Sequence, residues 1–598
     1  MVKIALEAFD GEIPRLDNHY LPEKNANEAR NCKLTGGTIR AMREPVTVVD
    51  LGGAGREQIF WHQGVWLSFY QDVDCVPGPV AQNRLYVSRE IDPPVILLNG
   101  ATIADAMWLS LPQPAGRPTL TRGGTYDDKQ GEGVLYAWTW VTVLGEETKP
   151  SPPSRLIMWS PGSTITVGGW NADVTEIAGR AVLHRRIYRS QTTASGVTEL
   201  FLIAAIPPTQ ETFVETFGEG LLGEPLPSLD YDPAPLDMKG LVAMPNGMMV
   251  AWTGERELIF CEPYMPHAWP VKYRLRVDFN IVGLVVLGST LMVLTRGNPY
   301  VVQGLHPSEM SMVKMDTTMP CVAKRSIVDM GYAAIYASPM GLVRITEGGA
   351  ELMSQQLWSE DEWRGMIPAT IRAAQWGDLY VFAHTPLGAT PRIKMVNMKG
   401  QTPALTRSDV AARAFYHHPQ TSELYMLNEQ GNLIQKFNAG DFMPYLWRSK
   451  RFRFTQPVSF GAFLIELESQ AETTRTYDDF KVIWQDEHVA LIDNLSVGLV
   501  EELASMNRAD HSIMATIADD DIRAELPYTI RIAESGTITS EDWELTVMAD
   551  RKRLVSFKNG AGQVMRAPPG EYRDWHFYIT GTAEVVRFVA ASTPTELN

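Results

Sequence analysis

The sequence predicts an all-β protein built around a β-propeller, and one recurring pattern carries that prediction. A turn residue followed by an apolar strand occurs at five positions spaced 41 to 46 residues apart: Gly247, Gly288, Gly331, Gly377 and Ser422. Most copies continue into a second turn and a second strand. A period of about 40 to 50 residues with four short strands is typical of a propeller blade. Because one blade cannot bury both faces of its sheet alone, the repeats must pack around an axis.

Length and composition predict several folded domains. The chain has 598 residues, of which 45% are hydrophobic and 21% are charged. These fractions are ordinary for folded proteins, and the length predicts about three to four domains. The net charge of -17 disfavours non-specific binding to nucleic acid, because such binding depends on Lys and Arg displacing counterions from phosphates. An acidic protein could still let DNA pass without gripping it.

The cysteines and the longest apolar run point away from metal sites and membranes. Cys32, Cys75, Cys261 and Cys321 are far apart and belong to no CxxC or Cys/His cluster, which favours buried free thiols in a reducing cytoplasm. The N-terminus lacks the pattern of a signal peptide. The longest apolar run, 281–294, is interrupted by glycine and is too short to span a bilayer, so no membrane insertion is predicted.

The N-terminal part of the chain is predicted to contain an arm, one blade and a large inserted domain. Residues 1–46 are rich in turn formers and show little periodicity, which predicts an extended arm. Residues 47–104 return to short strands and predict the first propeller blade. Residues 105–235 separate this blade from the repeats and begin and end in proline-rich loops, so they are predicted to form an inserted domain.

The inserted domain is predicted to be a β-sandwich. The strand 136–143 alternates with aromatic residues on one face, the loop 145–154 is rich in proline, and the strand 185–189 follows. This order of an aromatic strand, a Glu-Glu-Thr-Lys-Pro-Ser-Pro loop and an Arg-Ile-Tyr-Arg strand resembles a fibronectin type III module.

The remaining chain is predicted to complete the propeller and add a β-rich end. Residues 236–466 hold the other blades, and the strands 451–454 and 459–466 are expected to close the ring. Residues 467–598 are predicted to form a C-terminal β-rich domain, in which 497–506 is a short helix.

Motifs that could carry chemistry all have plainer structural explanations. The GxGxxG match at 218–223 is followed by Pro225 and Pro227, which forbid the helix that a dinucleotide site needs. His417 and His418 precede a proline in a blade turn and are expected to lie at the surface. Three acidic clusters are expected to be solvated loops rather than calcium sites, because they lack EF-hand spacing. The acidic clusters are 360–362, 478–479 and 519–521.

No catalytic, cofactor-binding or metal-binding residue is predicted, and the chain is not expected to be an enzyme. The matched carboxylates that a propeller glycosidase places at its axial mouth are absent from the repeats. The segment 262–270 is the densest stretch of aromatic residues and proline. It is interpreted as a packed loop between blades with Trp269 buried, and a subunit contact is the alternative.

Several stretches resemble the tail nozzle proteins of short-tailed bacteriophages, also called tail tubular protein B. The similarity is strongest in six stretches of the repeat region and extends to both ends of the chain. The stretches in the repeat region are 244–250, 260–263, 268–270, 281–284, 294–300 and 321–326, and those nearer the ends are 11–16, 25–31 and 575–591.

This resemblance implies that the protein is a structural component of a virion, and it implies no active site. It implies a homohexameric ring in the distal tail, assembled in the host cytoplasm, that retains the genome and then conducts it during ejection. Its partners would be other copies of itself, the tail adaptor ring and tail fibre or tailspike proteins, with double-stranded DNA only in transit. The alternatives are a propeller protein that binds or cleaves glycans and a propeller that serves as a general interaction scaffold.

Overall fold

The computed structural model describes residues 2–192, 198–216, 222–385, 390–398, 403–468, 542–558 and 564–597. The chain divides into two compact units, each assembled from separate stretches of sequence. Both units consist mainly of antiparallel strands, which confirms the all-β prediction. The propeller unit comprises Gly11–Tyr20 and Arg43–Asp441, and the terminal unit comprises Met1–Asp10, Leu21–Met42 and Phe442–Asn598.

The propeller unit contains seven antiparallel blades in its described residues. Blade 1 is a hairpin, and the other six have four strands each. The blades are blade 1 (Gln58–His62, Val65–Phe69), blade 2 (Val73–Pro77, Arg84–Arg89, Val95–Leu98, Met107–Trp108), blade 3 (Lys239–Ala243, Met249–Thr253, Glu257–Phe260, Leu275–Arg276), blade 4 (Ile281–Leu287, Thr290–Thr295, Tyr300–Gln303, Ser311–Lys314), blade 5 (Val328–Asp329, Ala334–Ser338, Gly341–Thr346, Gly349–Leu352), blade 6 (Arg372–Trp376, Leu379–Ala383, Arg392–Asn397, Ala404–Ala411) and blade 7 (Ala414–His417, Leu424–Leu427, Leu433–Lys436, Val46–Asp50).

The ring closes through an N-terminal strand. The first strands of successive blades contact one another from blade 1 to blade 7 and back to blade 1, so they line a common axis. Val46–Asp50 pairs antiparallel with Leu433–Lys436 and supplies the outer strand of blade 7. The prediction that strands at 451–454 and 459–466 close the ring is therefore wrong, because these residues pair with C-terminal strands of the terminal unit. The range 47–104 likewise holds strands of more than one blade.

The sequence repeat marks the turn before the second strand of blades 3 to 7. Each of the five repeated turn residues has a positive φ, between 55° and 83°, which residues with a Cβ adopt only at a cost. Glycine occupies four of these turns because it alone enters this region freely. Ser422, with φ 55°, is the exception, so blade 7 carries a strained residue where the other repeats have glycine.

Replacing Ser422 with Gly should therefore stabilise the propeller unit. We expect a gain of up to ~1 kcal/mol, because the cost of the left-handed conformation disappears and is only partly offset by the greater chain entropy of glycine. The temperature of thermal unfolding, followed by intrinsic fluorescence, measures the effect. Ser422→Ala is the matched control, since it removes the hydroxyl but keeps the Cβ. Equal stabilities of the two variants would contradict the explanation.

The inserted domain is a β-sandwich, as predicted, and lies within the propeller unit. Its two sheets share one core, in which Trp138, Trp170 and Ile165 are buried. Arg185 is buried between Trp138 and Trp170, 4.9 Å from each ring centre. The strands are Thr119–Gly124, Ser163–Gly168 and Phe213–Glu215 in one sheet, Tyr136–Thr142, Glu176–Ile177, Arg180–Thr192 and Thr198–Ile206 in the other, and the separate pair Glu132–Val134 and Ile157–Trp159.

The terminal unit joins the two ends of the chain. The first residues do not form the extended arm predicted for 1–46, because Lys3–Leu6 pairs with Glu584–Ala591. A core rich in aromatic side chains, including Trp447 and Trp575, fills the unit. Its other strands are Asn25–Arg30, Cys32–Lys33, Arg40–Ala41, Tyr445–Ser449, Phe452–Val458, Ala462–Glu468, Trp543–Ala549, Lys552–Lys558, Met565–Arg566 and Tyr572–Gly581.

The helices of the described residues are short. None of them is long and apolar enough to cross a bilayer. One further strand, Asp10–Glu12, pairs through Glu12 with Leu405 at the outer edge of blade 6. The α-helix is Glu360–Gly365, and the 3-10 turns are Ile103–Asp105, Asp128–Gln130, Val271–Tyr273, Pro307–Glu309, Lys324–Ser326, Ser354–Gln356, Pro368–Thr370 and Pro594–Glu596.

Candidate functional site

Ion pairs cross the propeller axis. Asp72 and Asp74 lie at the start of the inner strand of blade 2, and Lys324 and Arg325 lie in the turn that precedes blade 5. Lys324 Nζ is 2.6 Å from one Asp74 oxygen, Arg325 Nη2 is 3.0 Å from the other, and Arg325 also binds Asp72. Because blades 2 and 5 are three places apart in a ring of seven, these contacts span the centre. We call these four residues the axial ion cluster.

A second set of ion pairs joins blades 1, 6 and 7, next to the point where the ring closes. Glu57, just before blade 1, binds Arg372 at the start of blade 6 and Arg413 before blade 7. Burial alone would raise the pKa of Glu57, but hydrogen bonds and charge from the two guanidinium groups hold it below its ordinary value. Burial opposes ionisation of Asp72 in the same way, and Arg325 and other nearby cations again lower its pKa. Glu57 and Asp72 are therefore ionised, and each stabilises the contact between blades through its ion pairs.

Replacing Arg325 with Met should lower the stability of the propeller unit by about 2–3 kcal/mol, because Asp72 would lose the guanidinium that binds it across the ring. The side chains of the axial ion cluster are 15% to 30% exposed, so water would hydrate the remaining carboxylates in part. Thermal unfolding measures the loss. Arg344→Met is the control, since Arg344 pairs with Glu351 at a more exposed position and should cost about 1 kcal/mol or less.

A second variant separates loss of charge pairing from loss of packing. Asp72→Asn combined with Arg325→Met removes the carboxylate that has lost its guanidinium partner and keeps only the longer contact to Lys324, at 3.8 Å, and it leaves the Lys324–Asp74 pair in place. It should be more stable than Arg325→Met alone. If the double variant is the less stable of the two, the ion pairs are not the cause of the loss.

The axial ion cluster lies between two cavities. The larger, of about 530 Å³, opens where the inner strands begin, and we call it the axial cavity; its wall includes Asp72, Asp237, Lys239 and Lys324. The second, of about 310 Å³, is lined further along the inner strands by apolar residues such as Val285 and also by Lys324. Lys324 belongs to both walls, so the ion pairs that join blades 2 and 5 lie where the two cavities meet.

Acids of the axial cavity have polar or charged partners in its wall. Glu90 pairs with Lys239 at 2.9 Å. Asp237 accepts hydrogen bonds from the Thr253 hydroxyl at 2.5 Å and from Gly254 N at 3.0 Å. These bonds lower the pKa of Asp237 although burial opposes them. A glycosidase needs one carboxyl with a raised pKa as its proton donor, and the environment of Asp237 acts in the opposite direction.

The aromatic loop 262–270 anchors the inserted domain to blade 3. Trp269 and His267 are buried, and Trp269 N donates to the backbone oxygen of Asp232 at 2.7 Å. His267 Nε2 lies 3.1 Å from the backbone oxygen of Glu147 in the proline-rich loop of the inserted domain. The interpretation as a packed loop is confirmed, and the alternative of a subunit contact stays a prediction for its exposed part.

A buried ion pair within the inserted domain lies next to that domain's hydrogen bonds with blade 2. Arg180 Nε is 2.7 Å from Glu146 Oε2, with 0% and 4% of the two side chains exposed. Arg180 also donates to the backbone oxygen of Trp108 at 2.6 Å, and Arg84 of blade 2 donates to that of Leu144 at 3.1 Å. The sequence gives no sign of this pair beyond two adjacent glutamates in a rigid loop. The inserted domain is thus attached by buried polar contacts as well as by its two connections.

His267 should make the propeller unit sensitive to acid. Burial, aided by the charge of Arg180, lowers its pKa to about 3, against 6.5 in an unfolded chain. Between these values the unfolded chain binds one more proton, so the contribution of His267 is present above pH 6.5 and falls by up to ~1.4 kcal/mol per pH unit below it. Unfolding temperatures measured from neutral to mildly acidic pH should therefore fall less steeply for His267→Gln than for the native chain. Parallel curves would count against this account.

The other candidates from the sequence have structural roles or lie outside the described residues. The expectation of a solvated loop at 360–362 is wrong, because these acids form the first turn of the α-helix Glu360–Gly365, where Ser359 and Glu362 make a capping box. His418 is largely buried among aromatic rings, including that of Trp61, so the expectation of a surface turn is wrong for this residue. The clusters at 478–479 and 519–521, most of the GxGxxG match at 218–223 and the helix expected at 497–506 lie outside the described residues.

The four cysteines are present as thiols, as the sequence predicts. Cys32, Cys261 and Cys321 are buried, whereas Cys75 is half-buried. Burial raises the pKa of Cys261 and of Cys321 to about 12, so these two thiols are uncharged. In the part of the chain that the structure describes, no three His, Cys, Asp or Glu side chains are grouped so that they could hold a metal ion.

Comparison with known proteins assigns no family. No protein-family model and no curated protein matches the sequence. Among solved structures, the WD40 domain of Neurospora crassa Pan2 is similar at 6% identity and a TM-score of 0.27, covering 65% of this chain and 91% of that domain. Myxococcus xanthus glutaminyl cyclase is similar at 12% identity and a TM-score of 0.19, covering 33% of this chain and 89% of that one. The assignment as a propeller rests on the blades themselves.

Proposed function

We propose that this protein is the subunit of a tail nozzle, the distal tube of a short-tailed bacteriophage. The proposal starts from the resemblance of the repeat region to nozzle proteins, with Cys321–Ser326 among the matching stretches. Lys324 and Arg325 of that stretch belong to the axial ion cluster. A propeller whose centre is crossed by ion pairs suits a subunit that forms part of the wall of a tube. This observation supports the proposal independently of the resemblance.

In such a nozzle, DNA would not pass along the axis of one propeller. The channel would lie between subunits, in a homohexameric ring with about -100 formal charges from six chains of -17 each. Such a ring would repel phosphates and let duplex DNA slide during ejection. The adaptor ring and tail fibre or tailspike proteins would be its partners in the virion, after assembly in the host cytoplasm.

The buried attachment of the inserted domain supports a mechanical role. The hydrogen bonds from Arg180 to Trp108 O and from Arg84 to Leu144 O hold the β-sandwich against blade 2. The contacts of the aromatic loop 262–270 hold it against blade 3. A domain fixed in this way keeps its position under load better than one tethered only by linkers. The inserted domain is therefore our candidate for contacts with neighbouring subunits or the adaptor ring.

Mass and symmetry of the purified protein test the proposal. Negative-stain microscopy and native mass measurement should find a closed ring of six 66.7 kDa subunits around an open channel. The glycosidase alternative makes a different prediction, a particle without such a channel that hydrolyses glycans. If the ring forms only on the adaptor ring, the same mass and symmetry measurements should be repeated after mixing with the adaptor protein of the same phage. A chain that remains monomeric with and without the adaptor would overturn the proposal.

A further inference from the structure

The axial cavity contains one cation that no acid of the wall neutralises. Arg296 lines this cavity next to Ile281 and Asn280, and its side chain is exposed. Among the described residues Arg296 forms no ion pair, although its backbone N donates to Asn280 O at 2.9 Å. The other cations of the wall, Lys239 and Lys324, pair with carboxylates at 2.9 and 2.6 Å. One positive charge is therefore available to a ligand.

Around Arg296 the wall offers hydrogen-bonding groups in fixed positions. Asn280 Nδ2 donates to Glu255 Oε2 at 2.6 Å, and Asn280 Oδ1 accepts from Arg256 at 2.8 Å. Glu255 has φ 87°, a left-handed conformation that is costly for this residue type and that places it in the turn at the cavity wall. Carboxylates that use some of their lone pairs within the wall can accept from hydroxyl groups with the others.

We propose that the axial cavity binds an acidic sugar, a ligand with one carboxylate and several hydroxyl groups. Arg296 would bind the carboxylate, since a guanidinium presents paired N–H groups that match its two oxygens. Glu90, Asp237 and Glu255 would accept hydrogen bonds from the hydroxyls. A volume of about 530 Å³ suits a ligand of about one or two sugar rings. The proposal is independent of the role in a nozzle, because it concerns a cavity within one propeller.

Titration with glucuronate and galacturonate, followed by saturation-transfer NMR on the full chain, tests the proposal. We expect saturable binding of at least one uronate that is about tenfold tighter than that of the matching neutral sugar. Arg296→Gln should weaken it by about tenfold or more. Arg276→Gln is the matched control, because Arg276 is exposed on the outer strand of blade 3 and is not part of the cavity wall. It should leave binding unchanged.

Three outcomes would overturn the proposal. The first is the absence of binding by either uronate. The second is equal weakening by Arg276→Gln and Arg296→Gln, which would indicate general attraction of anions to the surface. The third is binding of acetate or neutral sugars as strong as that of the uronates. Unchanged unfolding temperatures of both variants show that a loss of binding reflects the cavity and not the fold, and these measurements do not depend on ring formation.

Discussion

Replacing Arg180 with Met should destabilise the propeller unit by about 3–5 kcal/mol, because the buried carboxylate of Glu146 would lose its partner. Burial already raises the pKa of Glu146 in spite of the charge of Arg180. Without that charge the carboxyl would take up a proton more readily, so the loss should be largest at neutral and alkaline pH. Thermal unfolding of the purified chain measures it.

The controls for Arg180→Met separate buried charge from lost packing. The double variant Glu146→Gln with Arg180→Met should recover part of the stability, because no charge is then left without a partner. Arg392→Met removes an arginine that pairs with Asp409 at 3.4 Å, where 63% and 41% of the side chains are exposed. It should cost about 1 kcal/mol or less. Equal losses for the two arginines would contradict the assignment.

In the terminal unit the largest effect is expected from Gly581→Ala. Gly581 has φ 142°, and a Cβ there would clash with the backbone oxygen of Asp542 and lie 2.7 Å from the Cα of Trp543. Gly581 pairs with Tyr445 on one side and with Trp543 on the other, so neither neighbour can move without disturbing a sheet. We expect a loss of about 3 kcal/mol or more in the free energy of unfolding.

The control for Gly581→Ala separates the clash from the backbone conformation. Gly36 also has a positive φ, 108°, but nothing lies within 4 Å of the position that a Cβ would take there. Gly36→Ala should therefore cost only the conformational penalty, about 1–2 kcal/mol. Unfolding of both variants can be followed by the fluorescence of buried Trp447 and Trp575. Similar losses for the two glycines would show that the contact with Asp542 is relieved at little cost.

The propeller could be predicted from sequence because its signal is local. A turn at Gly331 and the strand after it lie close together in the chain, and the same backbone requirement recurs in blades 3 to 7. Ring closure could not be predicted in this way, because Val46–Asp50 and Leu433–Lys436 are separated by most of the chain. Val46–Asp50 also has mostly exposed side chains, so its hydrophobic pattern does not identify its partner.

The candidate site depends on contacts that leave no pattern in the sequence. Asp72 and Arg325 are 253 residues apart, and only the ring brings them together. The burial of Trp269 could be predicted, because an aromatic side chain among prolines is typical of a packed loop. The burial of His267 against Glu147 depends on the position of the inserted domain, which the sequence alone does not supply.

Both units are closed by strands that are far apart in the chain, so neither unit can finish folding until late in translation. The strand Val46–Asp50 leaves the ribosome long before its partner Leu433–Lys436, and Lys3–Leu6 waits for Glu584–Ala591. Pairing over such distances is slow, because the loss of chain entropy precedes the gain from contacts. Until the C-terminal strands emerge, both N-terminal strands have unpaired edges that can join other chains. Nascent chains should therefore depend on chaperones until translation is complete.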